Sequence, residues 1–127
     1  MVLSKKEDEM VRDDYDVLTC KVLTYLYKKL RGREREPQDV YLQPMTKFFP
    51  VEKEYFEYLI ENLQREGLIE GVIMSKTWSG PTIIVNLENI RITPSGIRYL
   101  RDNSLMKRIR EKLPDAASIA ADLMSIL

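Results

Sequence analysis

Arg98, Arg101, Lys107, Arg108, Arg110 and Lys112 crowd residues 98–112, opposed only by Asp102 and Glu111. Guanidinium and ammonium groups at that density can hold phosphates and displace the counterions condensed on a nucleic acid. They can equally meet carboxylates of a protein partner, or form an ordinary solvated face. A second group is Lys76, Trp78 and Arg91, a cation, an indole and a guanidinium within one β-rich stretch. Such an indole can stack on a base or anchor a protein interface. Its plainer alternative is to fold over the strands and pack on a neighbouring helix.

Catalytic chemistry has little to work with. The chain has no histidine, which removes His-based triads and the commonest metal ligand. Cys20 has no histidine partner and sits in an apolar helical pattern, where a thiol behaves as a small buried hydrophobe. Gly80 is a lone turn glycine, with neither a phosphate loop nor a dinucleotide fingerprint around it. Glu57 and Glu61 share a helical face, a commonplace of surface helices. The expectation is a protein without catalytic residues, metal or cofactor, and not an enzyme.

Composition narrows the class further. A chain of 127 residues, 44% hydrophobic and 31% charged, is the size of one soluble domain. Its net charge is zero, so no overall basic balance advertises nucleic acid. The first residues, Met1 to Glu9, lack the apolar core of a signal peptide, and no run approaches the ~18 apolar residues of a membrane span. A single cysteine fits a reducing compartment. A cytoplasmic protein with no membrane partner is expected.

The elements that position these residues follow from periodicity. Residues 1–14 form an acidic arm, mobile or a frayed helical extension. From Asp16, Leu18, Val22, Leu23, Leu26, Tyr27 and Leu30 mark a helical stripe closed by Gly32. Val40-Tyr41-Leu42 suits a short strand pairing with a later ribbon, and residues 44–49 a short helix. A third helix starts at Pro50, with Val51, Tyr55, Phe56, Leu59, Ile60 and Leu63 on one side, and ends at Gly67. Leu68–Lys76 and Thr82–Thr93 read as strands around Ser79-Gly80-Pro81, the second interrupted at Asn86–Asn89. Thr93 can cap a helix that begins at Pro94, pauses near Asn103-Ser104 and resumes through Leu113. A last helix, residues 116–127, carries Ile119, Leu123, Ile126 and Leu127 on one side.

Helix, short helix, helix, ribbon and helix is the order of a winged helix-turn-helix: an α+β fold with a three-helix core, a β-ribbon wing and additional C-terminal helices. Two stretches, Gln64-Arg65-Glu66-Gly67-Leu68-Ile69-Glu70-Gly71-Val72 and Asn89-Ile90-Arg91-Ile92-Thr93-Pro94-Ser95-Gly96-Ile97-Arg98-Tyr99-Leu100, carry a closer likeness, continued in Asn103-Ser104-Leu105-Met106-Lys107. In these the chain resembles the YjcQ-like family of small proteins from Gram-positive bacteria and their phages. The resemblance spans about residues 15–113, leaving the arm 1–14 and a C-terminal element 114–127 outside. It implies a winged-helix fold and a phage or prophage origin, and it brings no reaction and no site residues.

In that fold, residues 51–66 take the place of the DNA-reading helix. They offer Glu52, Glu54, Glu57, Glu61 and Glu66 against Lys53 and Arg65. Carboxylates there face phosphates of the same sign, so major-groove docking is disfavoured. The expected contact surface therefore moves to the wing (Lys76, Trp78, Arg91) and the basic segment (Arg98, Arg101, Lys107, Arg108, Arg110, Lys112). Ile119, Leu123, Ile126 and Leu127 need a surface to cover them, either a second copy in a homodimer or the chain's own domain. Two functions stay open: a DNA-binding or transcription-regulatory accessory factor, and a protein-interaction module that does not bind nucleic acid.

Overall fold

The apolar stripe that starts at Leu18 belongs to a helix, α1 (Lys5–Leu30), that begins well before Asp16 and takes in most of the acidic arm. The computed structural model describes residues 5–80, 82–113 and 116–124, with side chains from residue 15 onward. Gly32, at φ +73°, ends α1, and the Arg33 N–H donates back to Lys28 O at 2.8 Å. The inward face of α1 runs through the middle of the core and packs against the third, fourth and fifth helices.

Residues 38–50 depart from expectation. The expected strand over Val40–Leu42 is a single helical turn, α2 (Gln38–Tyr41). Pro37 is fixed in an extended conformation, and its carbonyl accepts from both Val40 N and Tyr41 N at 3.1 Å. The turn brings the Tyr41 ring onto Tyr25 at 4.0 Å and edge-on to Phe49 at 5.3 Å, packing that outweighs β-propensity. Gln38 is buried, and its amide donates to the carbonyls of Leu87 and Ile90. The short helix expected over residues 44–49 is an irregular loop instead. Met45 stands at φ +58°, and the Thr46 hydroxyl accepts from Phe49 N, a local bond that competes with helix.

The next helix, α3 (Lys53–Arg65), starts three residues after Pro50 and buries Phe56, Leu59, Ile60 and Leu63. Gly67, at φ +77°, closes it, with Leu68 N donating to Leu63 O at 3.0 Å. The strands are short: β1 (Ile69–Glu70) pairs with β4 (Arg91–Ile92), and β2 (Ile73–Lys76) with β3 (Thr82–Val85), both antiparallel. Between the two pairs the ribbon kinks. The Gln64 amide clamps Val72, accepting from its N–H at 2.6 Å and donating to its carbonyl at 3.2 Å. Gly71 has φ +85°, and a Cβ there would stand 2.1 Å from Asn89 O, so only glycine fits. Asn86 and a 3-10 turn, Leu87–Asn89, make the interruption on the other strand.

Then α4 (Pro94–Asp102) begins as its sequence predicts. Thr93 Oγ1 accepts from Gly96 N at 2.9 Å, and the same hydroxyl donates to Gly67 O at 2.6 Å. Thr93 N donates to Leu68 O at 3.1 Å. A Cβ on Gly96 would lie 2.1 Å from Leu68 O. The two most distinctive stretches of the sequence are thus halves of one locked junction. Asn103 breaks the chain and caps α5 (Ser104–Arg110), accepting from Leu105 N and Met106 N, each at 3.0 Å. Helix α6 (Ala116–Met124) docks against α4. The molecule is α+β, six helices and two small antiparallel strand pairs among the described residues, an order compatible with a winged helix.

Candidate interaction surface

Alternation along β2 and β3 sends side chains to two faces. Met74 and Ile84 lie opposite each other and pack on the core. The other face carries Ile73 opposite Val85 and Ser75 opposite Ile83. Ile73 is 47% exposed and Ile83 37%. Both faces of the ribbon are apolar, although only one is needed for the core. Trp78, in the connecting turn, is fully exposed and does not fold over the ribbon. Sequence reasoning singled out Trp78 and passed over Ile73 and Ile83. Adjacent apolar pairs, Ile73-Met74 and Ile83-Ile84, were the available signal.

Lys76, Trp78 and Arg91 do not form one cluster. Lys76 sits opposite Thr82 near the ribbon tip, whereas Arg91 sits opposite Glu70 at its base. The kink at Gly71 and Val72 and most of β2 lie between Glu70 and Lys76. All three side chains are exposed.

Beside the ribbon lies α3, whose acidic character persists in three dimensions. Its two cations are occupied: Lys53 Nζ is 3.3 Å from Glu57 Oε1 and donates to Thr82 O at 3.2 Å, and Arg65 is 3.3 Å from Glu61. Glu54, Glu57, Tyr58 and Glu61 line a groove with Met74 and Thr82 of the ribbon. Tyr58 is exposed and meets Tyr15 edge-on at 6.3 Å.

The basic segment is smaller than its sequence suggests. Arg110 is only 2% exposed, which removes it from any contact surface. Its Nε donates to Leu100 O at 3.2 Å and a terminal nitrogen reaches Arg101 O at 3.5 Å. Those are carbonyls of the last turn of α4, groups a helix cannot satisfy internally and toward which its dipole draws a cation. Arg110 follows Met106 by four residues and shares its buried face, a spacing that could have flagged it. Arg101 is half-buried and gives two 2.7 Å bonds to Asp102, which hold that carboxyl below its usual range. Arg98, Lys107, Arg108 and Lys112 remain exposed, with Glu111 among them.

A family model described as YjcQ protein matches residues 20–116. The chain belongs to the YjcQ family. No curated protein and no solved structure matches it. The YjcQ match runs from Cys20 in α1 to the first residue of α6, so it contains the locked junction and the whole ribbon.

Beyond that YjcQ span, α6 folds back on its own chain. Of the residues that need a second copy or the chain's own domain to cover them, Ile119 and Leu123 are buried at 2% and 0% in the core of the same molecule. Asp122 beside them pairs with Arg33 at 2.6 Å and Arg31 at 3.6 Å, tying α6 to the end of α1. Ile126 and Leu127 lie outside the described residues. Cys20 is buried as expected, its thiol pushed up to about 11 by loss of water. Among the described residues no helix is long and apolar enough to cross a membrane, and no group of three or more potential ligands is placed to hold a metal.

Proposed function

We propose that this YjcQ-family chain is a non-catalytic winged-helix module whose ribbon contacts a protein partner. The observation that supports it is the outward ribbon face: Ile73 and Ile83 in water, with a fully exposed Trp78 at the tip. Burying such surface returns about 25 cal/mol per Å² of apolar area, and tryptophan is over-represented among the residues that carry binding energy. The neighbouring helix α3 points the same way. In the DNA-reading position it would set exposed glutamates against phosphates, and both of its cations are already paired.

A second reading has a specific observation in its favour. Arg98, Lys107, Arg108 and Lys112 are exposed and could contact duplex DNA away from α3. Binding to random-sequence duplex, followed by fluorescence anisotropy at about 50 and about 200 mM salt, separates the two. Four phosphate contacts would weaken binding on the order of 100-fold between those salts. The protein-interaction reading expects no such binding at either salt. Micromolar, salt-steep affinity that disappears in Lys107→Glu/Arg108→Glu and survives Trp78→Ala would replace it with the second.

A further inference from the structure

We infer that the open edge of β3 is a docking site for an extended, uncharged segment of a protein partner, which joins the ribbon as an additional strand. This rests on the reading of the ribbon as a protein-contact element and names what it takes. Among the described residues β3 pairs with one strand, β2, and its other edge faces no strand. Alternate N–H and C=O groups of an antiparallel edge strand point away from its neighbour, a template for another strand. The edge is short, four residues, and its side chains leave it uncharged. Thr82-Ile83-Ile84-Val85 carries no charge and no bulge within its four-residue register. One acceptor on it is taken, Thr82 O, by the Lys53 ammonium.

By sequence, residues 40–42 suit a strand paired with the ribbon. They turn helical instead, and Gln38 serves the ribbon carbonyls only further along, at Leu87 and Ile90. What is left is a groove of about 170 Å³ between Leu42, Gln43 and Pro44 on one flank and Ile83, Ile84 and Leu87 on the other, with Phe56 also lining it. Its only ionised lining residues, Lys53 and Glu57, neutralise each other at 3.3 Å. The electrostatic complement is an uncharged segment, and the hydrogen-bonding complement is an extended backbone.

The test is selection of a displayed library of random short peptides on the immobilised full chain. The best peptide is then titrated into isotope-labelled protein. Selected peptides should alternate apolar and small polar residues, shift the amides of Thr82–Val85 and Leu42–Gln43, and fail to bind when alternate backbone nitrogens are methylated. Ile83→Lys, which puts a charge on the edge strand, should weaken binding about tenfold or more, while Arg108→Ala, exposed and outside the ribbon, should change it by less than about twofold. Binding indifferent to methylation in either register, or lost equally in Ile73→Lys and Trp78→Ala, would overturn the edge and leave the ribbon-face reading standing. An empty selection would overturn the edge alone, because the face is tested separately by the salt-dependence experiment and by Trp78→Ala.

Discussion

Replacing Arg110 separates a binding role from a folding role. The residue is 2% exposed, and its guanidinium donates to two carbonyls at the end of α4. In Arg110→Ala those acceptors lose a charged donor, a loss of about 1.5–3 kcal/mol, and the buried stem leaves a void that adds to it. A destabilisation of roughly 2–4 kcal/mol is a large part of the ~5–15 kcal/mol that holds a domain folded. With a urea slope of about 1–3 kcal/mol per molar, the unfolding midpoint should fall by roughly 1–2 M. Urea titration followed by far-ultraviolet circular dichroism reads this directly, with exposed Arg108→Ala as the control, expected within about 0.5 kcal/mol of wild type. Equal midpoints for the two variants would refute the capping role of Arg110. The same result bears on design: a charge reversal at Arg110 disturbs the fold and is no clean probe of phosphate binding.

Three further outcomes follow from particular contacts. Gly96→Ala drives a Cβ to 2.1 Å from Leu68 O and 2.7 Å from Ile92, and should cost roughly 2–3 kcal/mol, seen as a melting temperature about 10 °C lower. Stability should fall as pH rises above about 9. Burial lifts Cys20 from 9.0 to about 11 and Tyr15 and Tyr41 from 10.0 to about 12, so the unfolded chain gives up these protons first and is favoured by alkali. Urea midpoints at pH 8 and near pH 10.5 check the sign, and an unchanged midpoint would contradict the burial of these groups. Trp78→Ala should leave stability within about 0.5 kcal/mol, and wild-type Trp78, the sole tryptophan, should emit like a solvated indole and be fully quenched by acrylamide.

The parts of the fold that were legible in the sequence are those set by local chemistry. Thr93 and Pro94 start α4, Gly32 and Gly67 end α1 and α3, and Asn103 separates α4 from α5, because caps and left-handed glycines act over a few residues. Residues 38–50 were misread because their conformation depends on distant partners. Tyr41 is drawn onto Tyr25, and Gln38 onto carbonyls of the ribbon far along the chain. The site was harder. A run of cations says nothing of which ones turn inward, and Arg110 does so to serve a helix end created by Asn103. Trp78 could have packed or protruded; its turn lies beyond the last core contact of the ribbon, so it protrudes.

The central claim is that the ribbon face meets a protein partner. Site-specific photo-crosslinking in cells tests it most directly, with benzoylphenylalanine placed at position 78 in one variant and at position 108 in another. The ribbon reading predicts a discrete light-dependent protein adduct from position 78 that is lost when Ile73→Ser is added, and none from position 108. Nucleic-acid adducts from position 108, with position 78 silent, would contradict it.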